Sequence, residues 1–158
     1  MSKSEFSGAV PSAGVGKRGE EGHLGYLLRQ ANVAFRSRLE RALAEFGVTQ
    51  PQFAVLTMVD AYPGCSSADL ARLSLLTPQT VTVIVANLRR DGLLTATPHP
   101  VHGRIRQLAL ADRGRTVLAD CKDIVGALEA KLAAGLSRSE ADIVRRWLVQ
   151  AAVDGDVP

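Results

Sequence analysis

The side chains best placed to do chemistry in this 158-residue sequence are amides, hydroxyls and guanidiniums, with no nucleophile paired to a base. From Thr77 to Arg90, the apolar Val81, Ile84, Val85 and Leu88 recur at helical spacing, which leaves Gln79, Thr82, Val83, Ala86 and Arg90 on or near the opposite face. A glutamine amide can pair bidentately with an adenine edge, and threonine or valine methyls can meet a thymine methyl. Gln79, Thr80, Thr82 and Val83 lie near the start of this helix, where base edges are in reach. Asn87, Arg89 and Arg90 lie nearer its end, where phosphates are. Arg104 follows a glycine and has the reach and permanent charge to enter a narrow minor groove, while Arg106 is read as lying along the backbone. Ser66, Ser67, Thr77 and Pro78, at the openings of two successive helices, complete the expected contact set.

Other chemistry finds little support. There is no nucleophile elbow, phosphate-cradling glycine loop, HExxH or acidic pair in a plausible cleft, so no enzyme is expected. His99 and His102 flank Pro100, but no third ligand lies nearby, so neither a metal nor another cofactor is expected. Cys65 precedes a helix whose N-terminus would favour its thiolate, the setting of a redox-sensitive thiol, whereas Cys121 falls on an apolar stripe and reads as core.

The elements that must position these groups follow from periodicity and caps. Residues 1–21 mix Ser, Gly, Pro and charge without an apolar period, as a flexible arm would. From His23 to Phe46, Leu24, Leu28, Ala31, Phe35, Leu39, Ala42 and Phe46 recur at threes and fours, a long amphipathic helix that Gly47 stops. Thr49 with Gln52 makes a capping box, with Pro51 in the first turn, and opens a second helix ending at Tyr62-Pro63-Gly64. Ser66 with Asp69 starts a short third helix to about Leu73, and Thr77-Pro78 starts the fourth, which Asp91-Gly92 closes. Leu93–Thr97 and Arg104–Leu110 then read as a β-hairpin around the tip 98–103. A long helix from Asp112 to the stop at Gly135, with Asp112 as its cap, carries Val117, Leu118, Cys121, Ile124, Val125, Leu128 and Leu132. Ser137 with Glu140 caps a last helix that buries Ile143, Val144, Trp147, Leu148 and Ala151.

Composition agrees with a single folded domain over 22–153 and a short tail over 154–158. Hydrophobic residues make up 46% and charged residues 22%, and no apolar run reaches the length of a membrane span. A cytoplasmic location is expected, since the start has no apolar signal core and the two cysteines no disulfide spacing. The net charge of +3 is concentrated: between Ser66 and Leu110, Arg72, Arg89, Arg90, Arg104 and Arg106 face only Asp69 and Asp91. That segment alone carries the whole excess, as a surface that approaches phosphates should.

A short helix, a tight turn, a helix with a polar outer face and then a hairpin make a winged helix-turn-helix, here over about 49–110. The long helices over 23–46 and 112–153 carry more apolar surface than this small core needs, which implies a homodimer presenting two reading heads to double-stranded DNA. The chain resembles the MarR family of bacterial transcription regulators over about residues 23–153. The likeness rests on this order of elements and on Leu56, Asp69-Leu70-Ala71, Val81-Thr82 with Leu88, Gly92-Leu93, Gly103-Arg104, Leu110 and Gly114. It implies a mainly α fold with a hairpin wing, and a repressor that a small aromatic or anionic effector releases from a pseudo-palindromic operator. It also implies an effector pocket that Tyr26, Arg29, Phe53 and Met58 would line, with Arg29 as the anchor. The chain departs from the family where an ion pair usually braces the wing, since Ala96 and His102 stand at the two positions. The family's oxidation sensors carry their cysteine in the first helix, where this chain has none. The competing readings are a winged helix that binds a protein partner, which an acidic or apolar outer face on the fourth helix would favour, and a ligand-binding or degenerate enzyme domain, which turnover would reveal.

Overall fold

The computed structural model describes residues 10–98 and 106–153. They form six helices and one two-stranded antiparallel sheet: α1 (Leu24–Ala44), α2 (Gln50–Ala61), α3 (Ser67–Leu73), α4 (Pro78–Arg90), β1 (Leu94–Pro98), β2 (Arg106–Leu110), α5 (Asp112–Leu132) and α6 (Arg138–Val153). The capping boxes act as expected. Thr49 Oγ1 accepts from the Gln52 amide at 3.4 Å while Gln52 Oε1 accepts from the Thr49 amide at 2.9 Å. Ser66 and Asp69 reciprocate in the same way at α3, and Ser137 and Glu140 before α6. Each box satisfies amide donors that the first helical turn leaves without partners.

One core holds the reading unit to the scaffold. Leu39 and Leu43 of α1, Val55, Leu56 and Val59 of α2, Leu70 and Ala71 of α3 and Val81, Ile84, Val85 and Leu88 of α4 are buried together with Leu93, Leu94, Leu108, Leu110, Leu118 and Cys121. In the hairpin, Leu94 pairs with Leu110 and Ala96 with Leu108, which fixes the apolar face inward. Ala96 packs against that core, so the position where the family places a bracing charge is used here for packing. His102 lies outside the described residues.

The hairpin is tied to α5 by a close approach. Leu93 O accepts from the Ala111 amide at 3.0 Å, and a Cβ added at Gly114 would run into that same carbonyl. Arg113 donates to Asp91 O at 2.9 Å and Arg115 to Leu110 O at 2.8 Å, so two guanidiniums hold the end of α4 and the end of β2 against the start of α5. Asp112 does not cap α5 as expected. Its carboxylate takes Arg115, and the N-cap residue is Ala111, which has no capping side chain.

Residues 10–21, part of the segment read as an arm, carry a 3₁₀ turn at Gly16–Arg18 and meet α1. Arg18 Nε donates to Gln30 Oε1 at 3.0 Å and Gln30 Nε2 donates to Arg18 O at 2.9 Å, a reciprocal pair that composition does not reveal. The apolar stripe of α6, expected to be buried, is not covered by the other described residues: Ile143, Val144, Trp147 and Leu148 are all exposed, Trp147 by 40%. The helix forms on the expected residues but packs only weakly on the rest of the chain.

Gly114 provides a test of the joint. Gly114→Ala should lower stability by about 1–3 kcal/mol, because the methyl meets backbone that cannot step aside. Urea unfolding measures it, and an unchanged midpoint would show that the approach to Leu93 is not tight.

Candidate nucleic-acid interface

α3 and α4 pack against each other across the turn 74–77. Leu75 at its tip has φ 55° and is 92% exposed, a left-handed residue without a glycine's freedom. Thr77 caps α4: its Oγ1 accepts from the Thr80 amide at 3.2 Å and lies 2.8 Å from Thr80 Oγ1. Pro78 follows at the first helical position, where its missing N–H costs nothing.

The inner stripe of α4 is buried and the outer stripe is exposed, as the period requires. Gln79, Thr80, Thr82, Val83, Ala86, Arg89 and Arg90 are exposed and Asn87 is half-buried. The Gln79 and Asn87 side chains make no hydrogen bond among the described residues. Thr82 Oγ1 donates to Pro78 O at 2.9 Å, and Arg90 Nε donates to Asp91 Oδ1 at 3.1 Å. Structure therefore brings Thr77, Pro78, Gln79, Thr80, Thr82, Val83, Asn87, Arg89 and Arg90 onto one helix whose outer side none of the described residues covers.

The other expected contacts divide. Ser67 is exposed at the start of α3, whereas the Ser66 hydroxyl is engaged in capping, donating to Asp69 Oδ2 at 2.7 Å. Arg106 pairs with Pro98 in the register of the hairpin, and its side chain, like all of Arg104, lies outside the described residues. Sequence reading passed over Arg113, Arg115 and the ion pair of Lys122 Nζ with Asp60 Oδ2 at 2.5 Å, which joins α5 to α2. Their partners are distant in sequence or are backbone carbonyls, so no local pattern marks them.

Of the four residues expected around an effector, Phe53 and Met58 pack against the core, while Tyr26 and Arg29 are exposed on the first turns of α1. A cleft of about 530 Å³ lies between α1 and α5, with Phe35, Ile124 and Leu128 among its apolar lining and Arg38, Arg41 and Lys131 among its charged lining. At Cys65, burial pushes the thiol up and the Asp69 carboxylate adds to it, the reverse of the activation expected from the α3 N-terminus. Cys121 is fully buried, as expected. No group of three or more His, Cys, Asp or Glu that could hold a metal occurs among the described residues. Nor is any described helix long and apolar enough to cross a membrane.

Residues 46–105, which span the reading unit and the start of the wing, match the MarR family. The HTH-type transcriptional repressor Rv2887 of Mycobacterium tuberculosis is 30% identical over 135 residues, 85% of this chain and 97% of the relative. The chain belongs to the MarR family. That family is one of winged helix-turn-helix transcription regulators rather than enzymes, and its fold accounts for the whole element order seen here. A structure of the repressor CouR bound to a 23-mer DNA duplex superposes with a TM-score of 0.77 at 28% identity, covering 84% of this chain and 94% of that one. The Mycobacterium tuberculosis MarR-family protein Rv2887 in complex with p-aminosalicylic acid gives 0.67 at 29% identity, covering 83% and 99%.

Asp69 is a pH-sensitive part of this MarR reading unit. Hydrogen bonds from the Ser66 hydroxyl and amide, together with Arg72, hold its carboxyl at about 2 against an ordinary 3.8. The folded value is the lower one, so the stabilisation is fully present above the ordinary value and is lost as pH falls through about 2. Asp69→Asn should remove that acid-side loss, so that wild-type and variant stabilities converge as pH drops from 5 towards 2. A gap between the two that stays constant over this range would show that the α3 cap does not depend on the charge.

Proposed function

We propose that this MarR-family chain is a transcriptional repressor that binds a pseudo-palindromic DNA duplex as a homodimer and is released by a small aromatic acid. The observation that carries the DNA reading is the uncovered outer face of α4, directly after a helix-turn and directly before a hairpin. Gln79, Thr80, Thr82 and Val83 are the base-reading side chains. Ser67, Thr77, Asn87, Arg89 and Arg90 position the helix on phosphates, Ser66 and Pro78 set the openings of the two helices, and Arg104 and Arg106 extend the contact into the wing. The duplex bound by CouR supports this reading.

The uncovered stripe of α6 supports the second copy. An isolated helix of this length is marginal in water, and Trp147, Ile143 and Leu148 would remain wet unless another chain covered them. The salicylic and p-aminosalicylic acid complexes of Rv2887 support the effector class. An apolar lining of Phe35 and Leu128 beside Arg38, Arg41 and Lys131 has the chemistry an aromatic carboxylate needs. Tyr26, Arg29, Phe53 and Met58 are the second candidate set, and assembly of two copies would have to bring them together.

Binding to the DNA upstream of the chain's own coding sequence should fall by orders of magnitude between low and moderate salt, as expected for about 6–10 neutralised phosphates. Gln79→Ala or Thr82→Ala should cost about 1–3 kcal/mol and relax preference at one position per half-site, while Arg89→Ala weakens all sequences alike. Footprinting and sedimentation read both properties. A monomer with salt-insensitive binding would overturn the proposal, and equal losses on specific and random DNA for every variant would remove α4 from base reading.

A further inference from the structure

We propose that α4 selects its half-site chiefly by the C5-methyl groups of thymines, through a methyl patch formed by Thr82, Val83 and Ala86. This rests on α4 being the recognition helix and names what that helix reads. Gln79, Thr82, Val83, Ala86 and Arg90 recur at threes and fours and are all exposed, so they form one stripe along the helix. From Gln79 to Ala86 the stripe rises about 10 Å, the span of about three base-pair steps.

The chemistry of that span is unusually one-sided. No charged residue lies between Pro78 and Leu88, so this part of α4 offers no guanidinium or ammonium to the O6 and N7 of guanine. The Thr82 hydroxyl donates its proton to Pro78 O at 2.9 Å. It cannot donate again to a base acceptor, and with Oγ1 turned to the helix backbone the side chain presents its methyl. The Thr80 hydroxyl is paired with that of Thr77 at 2.8 Å. Val83 is 60% exposed with no polar atom in its side chain, and Ala86 continues the apolar surface one turn later. On the stripe itself the Gln79 amide, at the end of the helix that enters the groove, is the group free both to donate and to accept, while Thr82 Oγ1 can only accept.

An A·T pair answers both halves of this surface. Adenine presents the N6 donor and N7 acceptor that a glutamine amide matches, and thymine is the only standard base with a methyl in the major groove. A G·C pair at the patch would set polar edges against Val83 and Ala86 without a partner for them. The helix therefore fits a half-site with adjacent thymines facing the patch and an adenine facing Gln79.

The test uses the full-length chain and a duplex enriched by it from a random-sequence pool. Each thymine of the selected half-site is replaced by deoxyuridine, which deletes only the methyl, and then by 5-bromodeoxyuridine, which restores its bulk. The expected result is a selected core with adjacent thymines, a loss of about fourfold in affinity for a deoxyuridine facing the patch, and recovery with bromine. Val83→Ala, an exposed position whose folding is checked by its melting curve, should lose most of that deoxyuridine penalty while keeping the steep salt dependence, and Val83→Thr should retain the penalty. Full affinity for a half-site in which all thymines are deoxyuridine, with salt dependence intact, overturns the methyl reading and leaves DNA binding standing. An undiminished penalty in Val83→Ala overturns it as well. A pool from which no duplex is enriched overturns both, and leaves the patch to a protein partner.

Discussion

The recognition face depends on the burial of the opposite side of α4. Val81, Ile84, Val85 and Leu88 are at most 8% exposed, locked between α2, α3 and β1. A helix has only one rotation that buries such a stripe, so the same packing that stabilises the domain aims Gln79, Thr82 and Val83 outward. Each buried aliphatic side chain contributes about 1.5–3 kcal/mol relative to exposure, whereas the exposed face contributes almost nothing to folding. That asymmetry frees the outer residues to be chosen for recognition. It also explains how six consecutive β-branched residues, Thr80 to Val85, each less favourable in a helix by a few tenths of a kcal/mol, are tolerated in α4.

A second constraint lies where the wing meets α5. The Leu93 carbonyl receives the Ala111 amide and leaves no room for a side chain at 114, so the strand and the helix approach to backbone distance. Arg113 and Arg115 complete the joint by donating to carbonyls at the end of α4 and of β2. These contacts, with the Lys122–Asp60 pair, are partly exposed and add little to stability. What they fix is direction: the orientation of the recognition helix relative to the long helix behind it. In the homodimer we propose, that orientation sets the separation of two reading heads, and a ligand that shifts α1 or α5 would alter it without touching α4.

Much of this protein was legible in its sequence because its signals are local. Capping boxes act over three residues, the 3.6-residue period over a few turns, and glycine stops at single positions, so α2, α3, α4 and α6 start where Thr49, Ser66, Thr77 and Ser137 place them, and α1 and α4 end just before Gly47 and Gly92. The outer face of α4 follows from the same period, and so does the clustering of charge between Ser66 and Leu110. Family membership was legible too, since the order of helix, turn, helix and hairpin is a one-dimensional property.

Tertiary structure decided what depends on partners far apart in sequence. Whether an apolar stripe is core or interface depends on what lies opposite it, so the stripe of α6 reads like that of α5 until its lack of cover is seen. The Arg18–Gln30 pair, the Gly114–Leu93 approach and the Lys122–Asp60 bridge join residues whose separation hides them from any local pattern. Cys65 is the clearest case. Its place before α3 suggests an activated thiolate, but burial and the neighbouring Asp69 carboxylate both oppose the charge, and a pKa is set by the whole surroundings of a group rather than by its position on a helix.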